Sequence, residues 1–384
     1  MASAKETADQ TIWNAARPDS LNSLDRRGRR TRRSEYDEER YVLSCIRELS
    51  NLAYFIITST ALNKTMSAKN IITVFGATGA QGGGVVSTFL SDPKLNGVWA
   101  IRAVTRNTTS DSAKKLAEKG VEVISADFND KASLVKAMAG ADTVFAVTNY
   151  WEKVDQELEE QQGRNLADAA KEAGVKHYIW SSLFDITQLS NGKLSRVYHF
   201  DSKAHVEEYV RNLGIPASFF YPGLYMPNLS ESFFTPPSPP TSMTWTFSLP
   251  IAGSSHIPLF DPRDTGKYVK ALVQHRDELL GKRLLSASQY LTCEEIVEGF
   301  RRVFPEAGGT ARYVAADEVG FRAYMASVGT PEFIIDALYD TFALLQDYGY
   351  YGGASLDETH RLVEDHLTTW EEHLKASEKL KDLE

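Results

Sequence analysis

The stretch that most constrains this chain is Ile71-Ile72-Thr73-Val74-Phe75-Gly76-Ala77-Thr78-Gly79-Ala80-Gln81-Gly82-Gly83-Gly84-Val85-Val86. A β-branched apolar run enters a loop with glycine at 76, 79 and 82, and small and branched residues follow. That order predicts a strand, a phosphate-binding loop and a helix. Gly76 permits the tight turn, Gly79 lets the backbone approach a pyrophosphate, and Gly82 lets the helix pack close to the strand. Amide N–H groups and the positive end of the helix dipole then face the anion. The GxxGxxG spacing is one residue longer than GxGxxG, and glycine clusters also mark ordinary turns. The surroundings of the loop must decide between the two.

From residue 70 onward strand and helix patterns alternate. Strands are expected at 71–75, 99–104, 121–126, 143–147 and 177–181, and helices at 82–90, 111–119, 131–138 and 155–173. Short apolar runs separated by helices imply an α/β fold, a doubly wound parallel sheet with helices on both faces and a ligand at the carboxyl ends of its strands. Those ends carry suitable chemistry. A domain choosing NAD offers Asp or Glu about twenty residues after the glycines, but here the second strand ends Val104-Thr105-Arg106. A guanidinium suits a 2′-phosphate, so NADP(H) is expected over NAD(H), with Arg106 as reader and Thr105 beside it; a solvated surface arginine is the alternative. Asp127 and Phe128 are placed to border the adenine, although Asp127 would equally cap the next turn. Thr148, Asn149, Tyr150 and Trp151 would flank the nicotinamide ribose. Ser181 ends the fifth strand, and Thr78, Ala80 and Gln81 lie among the glycines.

Composition narrows the function. With 384 residues, 42% hydrophobic and 24% charged, the chain has the make-up of a soluble protein of one large or two modest domains. A net charge of −9 argues against direct nucleic-acid binding, which needs clustered positive charge. Cys45 and Cys293 are far apart and neither they nor His177, His205 and His256 have metal-ligand spacing, so no metal is expected and the histidines read as structural. The apolar run from Leu52 to Leu62 is short of the roughly 20 residues of a membrane span. A reducing, cytoplasmic setting is expected, with a nucleus as the other option. Residues 1–65 hold Arg26, Arg27, Arg29, Arg30, Arg32 and Arg33, an acidic patch and a short amphipathic segment over 40–62. They read as a disordered extension or a misplaced start, with Met66 as the alternative, or as a tail for nuclear import or an anionic partner.

Past residue 212, strands are expected at 215–221, 245–249, 255–259 and 283–286. Helices are expected from Asp264, as cap, to Val273, over 293–303, within 321–345, and as one charged, half-exposed tail over 356–383. The Pro-rich 235–240 segment reads as a surface loop.

Four motifs together resemble the NmrA-like family of atypical short-chain dehydrogenases/reductases: Gly76 to Gly83, Val147-Thr148-Asn149-Tyr150-Trp151, His199-Phe200-Asp201-Ser202-Lys203, and Tyr221-Pro222-Gly223-Leu224-Tyr225-Met226. The likeness spans roughly residues 68 to 370. It implies a 1–66 extension, a 67–222 NADP(H)-binding Rossmann domain, and a smaller 223–384 C-terminal domain with 245–275 contributing back to the first. In the wider superfamily a Tyr-xxx-Lys pair supplies the acid and the residue that lowers its pKa. Here His199 stands at the tyrosine position, Lys203 keeps its place, and Tyr198 is rotated by about 100° around the helix. The resemblance gives Lys203, with Tyr221 and Pro222, a place in the cofactor cleft and gives Lys203 a catalytic role without tyrosine. His199 is either a proton donor, disfavoured beside an ammonium, or a hydrogen-bonded pocket residue. Loss of the tyrosine with retention of the cofactor loop points first to a redox-sensing or transcription-regulating protein whose partner is a zinc-finger regulator of the nitrogen-repression kind. The other reading is an NADPH-dependent reductase of a small carbonyl or enone.

Overall fold

The alternation seen from residue 70 closes into a seven-stranded sheet. The structure, a computed structural model, describes residues 69–236 and 244–383, so the arginine cluster, Cys45 and most of the Pro-rich segment lie outside the described residues. Its strands are β1 (Asn70–Phe75), β2 (Trp99–Thr105), β3 (Glu122–Ser125), β4 (Thr143–Ala146), β5 (His177–Ser181), β6 (Ala217–Pro222) and β7 (Arg283–Ser286). They run parallel in the order β7-β6-β5-β4-β1-β2-β3. This is the doubly wound arrangement, and the order reverses between β1 and β4, where the ends of two oppositely directed crossovers leave a crevice.

The strands are near-continuous apolar runs because both faces are covered. Ile72, Val74, Phe145, Ile179 and Phe220 pack on one face, while Phe75, Val144, Trp180, Phe219 and Tyr221 pack on the other. The helices of the first half are α1 (Ala80–Ser91), α2 (Asp111–Glu118), α3 (Lys131–Met138), α4 (Gln156–Glu172) and α5 (Tyr198–Leu213). Ser110, Asp130 and Asp155 start α2, α3 and α4 by accepting N–H groups of the first turn. α6 (Thr265–Gln274) packs against α1, so closely that a Cβ on Gly266 would lie 2.3 Å from Thr88 Oγ1. The strand 283–286 expected after it is β7 and forms the sheet edge.

Two three-stranded sheets follow from the later chain. Leu224–Tyr225, His256–Phe260 and Gln289–Thr292 form one; Phe234–Thr235, Thr246–Leu249 and Arg312–Ala315 form the other. Around them lie α7 (Cys293–Val303), α8 (Glu318–Ser327), α9 (Glu332–Asp347), α10 (Asp357–Leu362) and α11 (Trp370–Lys375).

Two sequence expectations for this region need correction. Asp264 occupies the cap position of α6, yet its side chain makes no capping bond; the carboxylate accepts instead from Thr368 N–H at 2.6 Å and Thr368 Oγ1 at 3.0 Å. The tail is not one half-exposed helix. It breaks between α10 and α11 because Thr369 and Glu372 form a reciprocal capping box that starts a new helix, and because Trp370 is fully buried, its Nε1–H donating to Ile296 O. The helical material of 321–345 divides likewise, at Gly329, which has φ +84°, and Pro331. Among the described residues no helix is long and apolar enough to cross a membrane.

Candidate functional site

At the carboxyl end of β1 the chain turns through Gly76, whose φ of +65° suits glycine. Gly79 N–H donates back to Gly76 O at 2.8 Å, and α1 begins at the next residue. No side chain caps α1, and no acid sits in its first turn. A Cβ on Gly82 would lie 2.3 Å from Gly76 O, so glycine there is what lets α1 approach the loop. The result is a set of free helix-end N–H groups facing a groove, the arrangement that accepts a pyrophosphate.

One cavity of about 990 Å³ opens from this loop. It is lined by Gly76, Thr78, Gly79, Ala80, Gln81, Gly82, Thr105, Arg106, Asp127, Phe128, Thr148, Asn149, Tyr150, Ser181, His199, Lys203 and Pro222, so the structure brings all of these candidates together. Tyr221 is the exception. Its side chain points into the layer beneath, fully buried, with its hydroxyl donating to Glu207. Asp127 lines the groove and also caps its own turn, Oδ1 accepting from Asn129 N–H at 2.8 Å.

Lys203 is buried, and its ammonium pairs with Glu159 of α4. Glu159 is itself 3% exposed and accepts from Thr148 Oγ1 at 2.7 Å and from Ser202 Oγ. Three donors thus converge on one carboxylate, which satisfies a charge that burial would otherwise make costly. Sequence reasoning missed Glu159. A signal existed: it shares the buried stripe of α4 with Gly163, Leu166, Ala167 and Ala170, where a lone carboxylate needs a partner. Gly163 is why the partner is reached, because a Cβ there would lie 2.5 Å from Val206 Cγ2 and keep α4 away from α5.

His199 differs from both sequence readings. Its ring packs 4.8 Å from Trp151, 4.9 Å from Phe200 and 5.9 Å from Tyr150, centroid to centroid. Burial, with the Lys203 charge added, pushes its pKa down to about 3, so it is neutral at physiological pH. Nδ1 has no hydrogen-bond partner, nor does Ser181 Oγ or Gln81 Oε1. Three cavity-lining residues therefore each carry an unsatisfied polar atom, a condition that a ligand relieves. Gln81 Nε2 is held by Tyr225 Oη at 2.6 Å.

The cavity does not end at Lys203. It continues into a chamber walled by Leu183, Phe200, Leu224, Asn228, Phe233 and Tyr350 and by Ile334, Leu338, Thr341 and Phe342, the four residues that α9 contributes. This wall is not visible in the sequence, since aromatic density in α9 has the same pattern as a packed core. At the opposite end, Arg106 Nη1 pairs with Glu152 Oε1 at 2.6 Å. Among the described residues no group of three or more His, Cys, Asp or Glu side chains is placed to hold a metal.

Comparison with known proteins gives the same frame. The NmrA-like oxidoreductase malD of Malbranchea aurantiaca is 31% identical over 270 residues, covering 65% of this chain and 76% of malD. NmrA, described as a negative transcriptional regulator and solved with NADP and with NAD, superposes with a TM-score of 0.68 at 21% identity, covering 82% of this chain and 97% of NmrA. The NADPH-dependent quinone oxidoreductase QOR2 of Escherichia coli, solved with NADPH, superposes with a TM-score of 0.62 at 24% identity, covering 78% and 97%. The profile of the NmrA-like family matches residues 68–374, and this chain belongs to that family.

Proposed function

We propose that the chain binds NADP(H) and reduces a small, uncharged carbonyl or enone. The observation that carries this reading is the continuity of the cavity from the glycine loop, past Ser181 and Lys203, into an apolar chamber. A protein that only bound a dinucleotide would have no use for the second compartment. The oxidoreductase names of malD and QOR2 support the same reaction class.

The residues at hand divide the work. Gly79 to Gly82 and the first turn of α1 hold the pyrophosphate, Arg106 lies where a ribose 2′-phosphate is read, and Asp127 with Phe128 borders the adenine. When bound, the nicotinamide supplies a hydride. Lys203, ion-paired with Glu159, brings positive charge to the cavity, where it stabilises negative charge developing on the substrate oxygen and can deliver its proton there. Ser181 lines the same cavity, and its Oγ, which has no hydrogen-bond partner, is suited to a hydrogen bond with the same oxygen. Neutral His199 cannot act as an imidazolium acid; with Trp151 it forms part of the wall. The chamber wall is mostly apolar, with Asn228 and Thr341 as its polar members and no charged side chain, which favours neutral substrates over carboxylates and phosphates.

The test is NADPH consumption against neutral ketones, enones and quinones, each matched with a carboxylate-bearing analogue. Turnover is expected with neutral members, and Lys203→Ala should lower kcat by about 100-fold. Tight NADPH binding without turnover of any member would overturn the enzyme reading. It would favour the second one, a redox sensor acting through a protein partner, which the replacement of the superfamily tyrosine by a neutral His199 supports.

A further inference from the structure

Arg106 is not a free cation in this fold. Its partner Glu152 ends the short turn Tyr150–Glu152 that follows β4, whereas Arg106 follows β2. β1 lies between β4 and β2 in the sheet, so the ion pair spans the carboxyl end of β1, where the glycine loop starts. Both side chains line the cavity. The turn that carries Glu152 is closed by Val154, whose N–H donates to Tyr150 O at 2.7 Å and whose φ of +52° is unfavourable for a β-branched residue. Asp127, at the end of β3, adds a second negative charge facing the same guanidinium. One cation is therefore answered by two carboxylates at the place where the ribose of a bound dinucleotide is read.

We propose that Glu152 sets the dinucleotide preference of this chain: its carboxylate occupies on Arg106 the place that a ribose 2′-phosphate would take. The inference rests on the NADP(H) site described above. A 2′-phosphate must displace Glu152 from Arg106 and then sit near two carboxylates, which opposes the attraction of the guanidinium. A ribose 2′-hydroxyl meets no such opposition. It can donate a hydrogen bond to a carboxylate, the contact made by the acid in domains that take NAD. Arg106 alone would favour NADP(H) strongly. The pair makes the preference smaller and makes Glu152 the residue that sets its size.

Calorimetric titration of the full chain with NADP⁺ and with NAD⁺ tests the assignment. Glu152→Gln keeps the shape and removes the charge, so NADP⁺ should bind about fivefold tighter, the equivalent of releasing one exposed ion pair, while NAD⁺ affinity stays level or weakens. Glu152→Asp, which restores the charge, should return the NADP⁺/NAD⁺ ratio toward that of the unaltered chain. An unchanged ratio in Glu152→Gln, with both dinucleotides still bound, would overturn the Glu152 assignment and leave the cofactor site standing. Failure of the unaltered chain to bind either dinucleotide would overturn both.

Discussion

Glu159 decides what Lys203 can do. An ammonium buried at the end of the groove is stable only because a carboxylate lies against it, and that carboxylate is held in turn by Thr148 and Ser202. Glu159→Gln should leave dinucleotide affinity within about twofold and lower kcat by roughly tenfold, because the ammonium loses the carboxylate that holds it in place. A purely structural Glu159 would lower stability in urea and leave kcat of the folded protein level. His177 makes a separate prediction. It is buried against Ser218, with burial and the nearby Arg276 pushing its pKa from 6.5 down to about 4. The unfolded chain therefore binds a proton between those values that the native chain refuses. Stability is full above pH 6.5 and falls as pH drops toward 4, by at most about 3 kcal/mol from this residue. His177→Asn should flatten that fall in urea titrations; an equal fall in the variant would assign it to other groups. At this scale the sequence revealed the strand-end residues that line the cavity, but not Glu159 or Glu152. Both act through partners 44 and 46 positions away, a pairing that only the crossovers create.

At the scale of elements, α4 and α5 form the working pair. Their contact at Gly163 and Val206 brings Glu159 to Ser202 and Lys203. Gly163→Ala places a methyl 2.5 Å from Val206 Cγ2, which a stiff β-branched side chain cannot yield easily. The expected cost is about 1–3 kcal/mol in urea unfolding, accompanied by loss of turnover, and Val206→Ala in the same chain should restore much of both. No loss in the single variant would mean that the helices are not locked at this point. The strands β1, β4 and β5 were legible because they are buried, mostly apolar runs, and the helices because Ser110, Asp130 and Asp155 announce them. The tail was not. A charged sequence over 356–383 has helical spacing; the Thr369–Glu372 capping box is a local sign that it breaks, and the tertiary partners of Thr368 and Trp370 fix the chain at that point.

Over the described residues as a whole, the doubly wound sheet places the dinucleotide groove at the switch point between β1 and β4, and the later chain walls the adjoining apolar chamber with residues of α9, Leu338 and Phe342 among them. The first half was readable because its chemistry is local to strand ends. The chamber was not, since its walls are assembled from residues that look like core. Groove and chamber meet beside Ser181 and Lys203, and the account stands on their serving one reaction. NADPH deuterated at the transferable position of nicotinamide C4, incubated with the protein and a neutral enone or ketone, whose reduction fixes the transferred deuteride on carbon, tests this by mass spectrometry of the product. One deuterium is expected in the product, and at most a trace with Lys203→Ala. An unlabelled substrate recovered intact from a protein saturated with NADPH would contradict it.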